Sequence, residues 1–400
     1  MSMNVAAGQD TRRAEAAAFS VVFALSLCHL LNDLMQSMLT ALYPLFAENF
    51  HLDFGQVGML TFVFQATASL LQPAIGAYGD KRALTVLLPL GMAFTFAGLV
   101  LLAFSGFYAL LLVSAGMIGI GSAIFHPESS RVARLASGGR HGTAQAVFQV
   151  GGNFGSAIGP LLAAFVVVPF GQRSITFVSV FALTAMAILW RVAAWYGAQS
   201  ARIAKKAALP NEAGYSNRKI AMTIGVLALL VFSKYTYMAS ISSYYTFYVI
   251  KRFDVSVQVS QILLFVFLGA VAVGTFAGGP IGDRVGRKTV IWFSILGVLP
   301  FTLALPYANL PWTIVLTILI GLILSSAFSA IVVFAQELVP GRVGMIAGLF
   351  FGFAFGIGGI AAAGLGELAD IKGIEFVYWL CSFLPILGLL TVFLPNVRER

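Results

Sequence analysis

Gly279-Pro-Ile-Gly-Asp-Arg-Val-Gly-Arg-Lys288 closes an apolar run near residues 259–282, and it opens with the same Gly-x-x-Gly-Asp pattern as Gly76-Ala-Tyr-Gly-Asp80, which closes another apolar run 203 residues earlier. A second pair keeps almost the same offset: Gly139-Arg140-His141-Gly142 and Gly341-Arg342-Val343-Gly344 stand 202 residues apart, each just before a further run. Glycine turns and charges that recur at half the chain length indicate a duplicated unit. The longest polar connection, residues 199–219, carries Arg202, Lys205, Lys206, Pro210, Asn211 and Gly214 and separates the two copies.

Working outward from these turns, apolar stretches of membrane-crossing length lie near residues 18–47, 57–79, 84–104, 107–125, 144–170, 175–197, 220–250, 259–282, 289–307, 311–334, 345–366 and 375–395. The chain of 400 residues is 59% hydrophobic and 10% charged, with a mean hydropathy of +0.92, far from the balance of a soluble domain. The runs are continuous rather than alternating, which argues against a membrane barrel. The expected fold is an all-α polytopic membrane protein with twelve transmembrane helices in two six-helix halves. Its parts are an N-terminal tail (1–17), a first half (18–198), a linker (199–219), a second half (220–396) and a C-terminal tail (397–400). The first run is too long for a signal-peptide core, so it reads as a retained helix.

Sorting the 24 Lys and Arg residues by alternate loops puts nineteen on the side of the N-terminus, and only Arg173, Lys251, Arg252 and Lys372 on the other; Lys234 lies inside a run. Positive residues stay in the cytoplasm, so both termini are expected there. The net charge of +9 follows from this topology and gives no reason to expect a nucleic-acid partner. Cys28 and Cys381 fall inside runs and read as packing residues rather than a disulfide.

Asp33 and Lys234 sit near the middles of the first and seventh runs. An ionised side chain at the bilayer centre costs about 2.5–3.5 kcal/mol on insertion scales, so such residues normally face a bundle interior and mark an ion or substrate path. The offset of 203 carries Asp33 to position 236, two residues from Lys234, so the charges hold nearly equivalent places in the repeat. They are expected to face a central cavity. Helical spacing groups His29, Asn32, Asp33 and Gln36 into one polar stripe, Gln145, Gln149, Asn153 and Ser156 into another, and Thr61, Gln65, Ser69 and Gln72 into a third. In the seventh run Lys234 and Tyr245 share a face, with Tyr237, Ser240 and Tyr244 beside it. A Lys in a low-dielectric cavity with hydroxyl donors suits an anion. His126 and Glu128 bracket Pro127 at the inner end of the fourth run, either as a proton relay or as a capping cluster with Arg131 and Arg134.

The motifs resemble those of the major facilitator superfamily. Gly282-Asp-Arg-Val-Gly-Arg-Lys288 fits that superfamily's loop motif after the eighth span, and Gly79-Asp-Lys-Arg82 is its shortened first-half counterpart. The resemblance implies a cytoplasmic gate built from Asp80, Lys81, Arg82, Arg131, Asp283, Arg284, Arg287 and Lys288. Gly151-Gly-Asn-Phe-Gly-Ser-Ala-Ile-Gly-Pro160 is similar to the antiporter motif of drug exporters, whose small residues let helices approach closely. It departs from that pattern at Ala163-Ala164 and in having Ala115 where an Arg is common. Longer strings are similar to bacterial fosmidomycin-resistance exporters: His29–Asp33, Phe125–Gly142, Phe148–Ala164 and Ser233–Tyr248.

That resemblance implies a monomeric inner-membrane antiporter in bacteria, surrounded by lipid, that expels a small anionic phosphonate in exchange for protons and confers antibiotic resistance. Proton coupling is expected at Asp33, His126 and Glu128. Substrate contacts are expected from His29, Asn32, Gln36, Gln149, Asn153, Lys234, Tyr237, Ser240, Tyr244 and Tyr245. Protons are the coupling ion and no cofactor is expected. A proton-coupled importer of an organic anion would use the same parts. No metal-ligand cluster, nucleophile elbow or phosphate loop is legible in the sequence, so an enzyme is not expected.

Overall fold

Continuous apolar sequence with its backbone polar groups satisfied internally dictates helix in a bilayer, and helix is what forms. The computed structural model describes residues 2–52, 54–82, 84–206, 216–255 and 257–396, and no strand occurs among them. Eleven helices are long and apolar enough to cross a membrane, and one shorter apolar helix completes the expected series of twelve. They are α1 (Phe19–Ala41), α2 (Met59–Lys81), α3 (Leu87–Ala103), α4 (Tyr108–Leu135), α5 (His141–Phe170), α6 (Gln172–Gln199), α7 (Asn217–Tyr245), α8 (Ile262–Val285), α9 (Arg287–Tyr307), α10 (Leu310–Leu338), α11 (Val343–Lys372) and α12 (Ile374–Phe393).

Local signals set several ends. Ser216 caps α7, its hydroxyl accepting from the Lys219 amide at 3.3 Å, and Asn309 caps α10 by accepting from the Trp312 amide at 3.1 Å. Gly286 takes φ of 91° and turns the chain between α8 and α9, the conformation that the glycine of the Gly282–Lys288 loop motif supplies. The helix carrying α1 begins at Ser2, so the expected N-terminal tail is helical in its backbone. The expected linker is entered by helix up to Lys206 and left by helix from Asn217; residues 207–215 and 397–400 lie outside the described residues. The side chains of Arg12, Arg13, Arg202, Lys205, Lys206, Arg398 and Arg400, used above to orient the chain, also lie outside them.

Contacts divide the chain into two compact units, Met1–Asn211 with Gly341–Gly352, and Glu212–Pro340 with Phe353–Arg400. In the first, α1 packs on α5 and α6, α2 on α4, and α3 on α4 and α6. In the second, α8 packs on α10, α9 on α10 and α12, and α7 on α12. Adding six to each number of the first set reproduces the second except for the α1–α5 pair, so the duplication seen in the turns is also a duplication of packing. The α1–α5 contact is close because Gly151, Gly155 and Gly159 line one face of α5. A Cβ at any of them would strike α1 backbone, at the carbonyl oxygens of Ser26, Leu30 and Leu34 respectively. Small residues one turn apart allow this approach and the dispersion contacts that follow from it. Cys28 and Cys381 are both buried and unbridged, as their placement in runs implied.

Candidate functional site

The α1 stripe is buried in the first unit: His29 and Asn32 are inaccessible and Asp33 is 7% exposed. Asp33 is held between two imidazoles. Its Oδ2 lies 3.3 Å from Nε2 of His29, one turn earlier on α1, and its Oδ1 lies 3.5 Å from Nε2 of His126 on α4. Asn32 donates to Oδ1 at 3.0 Å. Each histidine is fixed from behind by a main-chain carbonyl: Nδ1 of His29 by Phe148 at 2.8 Å, and Nδ1 of His126 by Ser122 at 2.9 Å. Ser122 also donates to Oε1 of Gln36 at 3.1 Å, which completes the expected α1 stripe.

Aromatic rings enclose the cluster. Phe148 stacks on His29 with centroids 4.2 Å apart, and Phe351, from the early part of α11, lies 5.3 Å from His126 and 6.5 Å from His29. On α5, Gln149 is buried and Asn153 half-buried, while Gly152 faces the acid: a Cβ there would collide with His29 Nε2 and Asp33 Oδ2.

The structure separates His126 from Glu128, which the sequence grouped as one relay or one capping cluster. His126 turns to Asp33, whereas Glu128, fully buried, forms an ion pair with Arg131. Arg131 also reaches Asp80 at 3.4 Å. Both oxygens of Asp80 accept backbone bonds at the start of α11, from the amides of Gly344 and Met345, each at 2.8 Å. A carboxylate there satisfies two amides that have no partner within the helix and complements the positive end of the helix dipole. Lys81 and Arg82 are exposed.

The second unit answers with different partners. Asp283 pairs with Arg287 at 3.0 Å, and Arg287 also reaches Glu337 on α10 at 3.3 Å and donates to the Gly282 carbonyl at 2.6 Å. Lys288 donates to the Leu394 carbonyl at 2.6 Å, and Arg284 is exposed.

Lys234 is 5% exposed on α7. Its ammonium has one weak carbonyl contact, Ser325 at 3.4 Å, and lies 5.1 Å and 5.3 Å from the rings of Tyr235 and Phe328. Among the described residues no carboxylate comes within ion-pair distance of it. Of the neighbours expected to help bind an anion, Tyr237, Ser240 and Tyr245 are packed inside the unit: Ser240 donates to the Tyr237 carbonyl at 2.7 Å, and the hydroxyl of Tyr245 bonds Thr317 at 3.2 Å. Tyr244 donates to the Ala362 carbonyl at 2.5 Å. Ser122, Gly152, Phe351, Tyr235, Ser325 and Phe328 join these sites without having been expected there. Gly152 and Tyr235 lay in strings already singled out, residues 148–164 and 233–248, but nothing in the sequence pointed to Ser122 or Phe351.

Comparison with known proteins fits this architecture. A family model described as the Major Facilitator Superfamily matches residues 25–363 and 226–400. The fosmidomycin resistance protein of Escherichia coli (strain K12) is 56% identical over 385 residues, covering 96% of this chain and 94% of that one. An uncharacterized MFS-type transporter of Bacillus subtilis (strain 168), YfnC, is 38% identical over 387 residues, covering 95% and 94%. Among solved structures, the E. coli fucose:proton symporter FucP superposes with a TM-score of 0.71 at 15% identity over 96% of this chain and 99% of that one. The proton:xylose symporter XylE gives 0.72 at 14% over 96% and 97%. Twelve apolar helices, a duplicated packing scheme and a family match along nearly the whole length make this chain a multi-pass membrane transporter belonging to the Major Facilitator Superfamily.

Proposed function

We propose that this transporter resides in the bacterial inner membrane with both termini in the cytoplasm and exports fosmidomycin or a related small phosphonate. Export is by alternating access as a monomer, is driven by inward movement of protons, and confers resistance to the drug. The observation that carries the reading is Lys234: a buried ammonium whose one polar contact among the described residues is a long one to a carbonyl, in a chain 56% identical to a fosmidomycin resistance protein. A buried cation left this poorly paired is costly, and an anionic substrate offsets that cost. The ammonium would give a phosphonate charge-assisted hydrogen bonds, and the faces of Tyr235 and Phe328 beside it tolerate a cation.

Proton coupling is assigned to the Asp33 cluster. A carboxylate with an imidazole on either side places three proton-bearing groups in one chain, and the Asn32 bond keeps one oxygen oriented. Glu128, tied to Arg131, serves the gate rather than the proton path in this reading, together with Asp80 and the start of α11. Proton-driven import of an organic anion uses the same residues and differs only in the direction of net flux.

Inverted, energised membrane vesicles test both the substrate and the direction. Labelled fosmidomycin should accumulate inside them above the external concentration and leak out when an uncoupler is added. Failure of a well-folded parent protein to accumulate it would remove the phosphonate reading. Accumulation in right-side-out vesicles instead would reverse the direction.

A further inference from the structure

We propose that His29, Asp33 and His126 form a binding site for a divalent transition-metal ion of the zinc and cobalt type. Their donor atoms all lie within 4.8 Å of one another, in a buried place on α1 and α4. Two imidazole nitrogens and one carboxylate are a donor set used by zinc sites that keep an open position.

Three features go beyond proximity. A carbonyl oxygen only accepts, so the bonds from Nδ1 of His29 to Phe148 and from Nδ1 of His126 to Ser122 place the proton of each neutral ring on Nδ1. Both Nε2 lone pairs then point toward a carboxylate, an assembly of lone pairs that a shared cation stabilises. The two Nε2–carboxylate separations, 3.3 Å and 3.5 Å, are longer than a charge-assisted hydrogen bond of about 2.7–2.9 Å. Each measured to a different oxygen of Asp33, they are close to the separation of neighbouring ligands of a tetrahedral ion with bonds of about 2.0–2.2 Å, roughly 3.4 Å.

Finally, every prospective ligand already has the outer partner that metal sites use to orient their ligands: a main-chain carbonyl behind each histidine and the Asn32 amide on Asp33. Gly152 packs directly against the donor atoms of His29 and Asp33, where any side chain would intrude. The stacked ring of Phe148 limits rotation of His29. The site stands on this geometry alone, independently of what the transporter carries.

Cobalt(II) titration of the purified, tag-free full-length protein tests it, read by the visible absorption of a tetrahedral cobalt site and by metal content after gel filtration. The expected result is one cobalt per chain, binding weakened at least about 100-fold in both His29→Ala and His126→Ala, and weakened about 10- to 100-fold in Asn32→Ala through loss of the outer partner. Gly152→Ala should likewise weaken it, because its Cβ would push against the donor atoms of His29 and Asp33. Circular dichroism and monodisperse elution establish that each variant is folded, and His29→Gln replaces His29→Ala if the latter is not. Absence of a stoichiometric cobalt band in the folded parent overturns the proposal. So does a band that survives loss of His29 and His126, or one that disappears in His51→Ala or His141→Ala, the two histidines outside the cluster.

Discussion

Asp33 and Lys234 hold matching places in the two copies of the repeat, yet their surroundings have diverged. The acid has three polar side chains aimed at it, two of them histidines braced by main-chain carbonyls, and an aromatic wall of Phe148 and Phe351. The base has a single distant carbonyl and two rings. One copy holds its charge in a crowded, braced cluster, suited to a small ion that must be bound in a fixed geometry. The other leaves its charge short of partners, suited to a larger anion that brings its own oxygens. The motif loops differ too: Asp80 pairs with Arg131 and also accepts from two backbone amides of α11, whereas Asp283 shares Arg287 with Glu337 and a carbonyl.

Several substitutions break or sharpen this contrast. Lys234→Ala should have the largest effect: removing one partner of a buried charge interaction costs about 2–5 kcal/mol, so phosphonate affinity by calorimetry should fall at least about 30-fold. Lys234→Arg should retain part of it. If Lys234→Ala binds as the parent does, the undersatisfied base is structural. Next comes Gly155→Ala, which drives a methyl into the Leu30 carbonyl. Overpacking of this kind costs about 1–3 kcal/mol and should lower the thermal unfolding midpoint in detergent by several degrees, whereas Gly225→Ala, with open space around it, should not.

Asp80→Asn and Asp283→Asn compare the loops directly. Asp80→Asn loses charge on a bond pair worth about 1.5–3 kcal/mol per charged hydrogen bond and should slow transport roughly tenfold. Asp283→Asn should cost less, because Arg287 keeps Glu337 and the Gly282 carbonyl. Equal losses in a vesicle assay would mean that the two loops do the same work. Smallest of all is Arg284→Gln: it is exposed, and its stability change should stay within about 0.5 kcal/mol.

The fold was legible because it rests on length and periodicity: twelve apolar runs and two pairs of turns half a chain apart specify it without any long-range contact. The α1 stripe was legible for the same reason, since His29, Asn32, Asp33 and Gln36 lie within two turns. What escaped the reading is what the third dimension supplies. Nothing local shows that His126 reaches Asp33 while Glu128, two residues on, turns to Arg131; on a helix those positions point about 200° apart. The trio able to hold a metal was invisible because its third member lies on another helix. Tyr237, Ser240 and Tyr245 were grouped as ligand contacts because hydroxyls in a membrane helix attract that reading; the structure buries all three and shows the Ser240 and Tyr245 hydroxyls bonded within the second unit.

The claim that one copy handles the proton and the other the anion is tested most directly by Asp33→Asn reconstituted in liposomes, comparing fosmidomycin exchange at equal pH with uptake driven by a proton gradient. The account predicts that exchange persists, since Lys234 is intact, while gradient-driven accumulation disappears. Gradient-driven accumulation at the parent's rate and extent would contradict it, because Asp33 could then not be the group that carries the coupling proton.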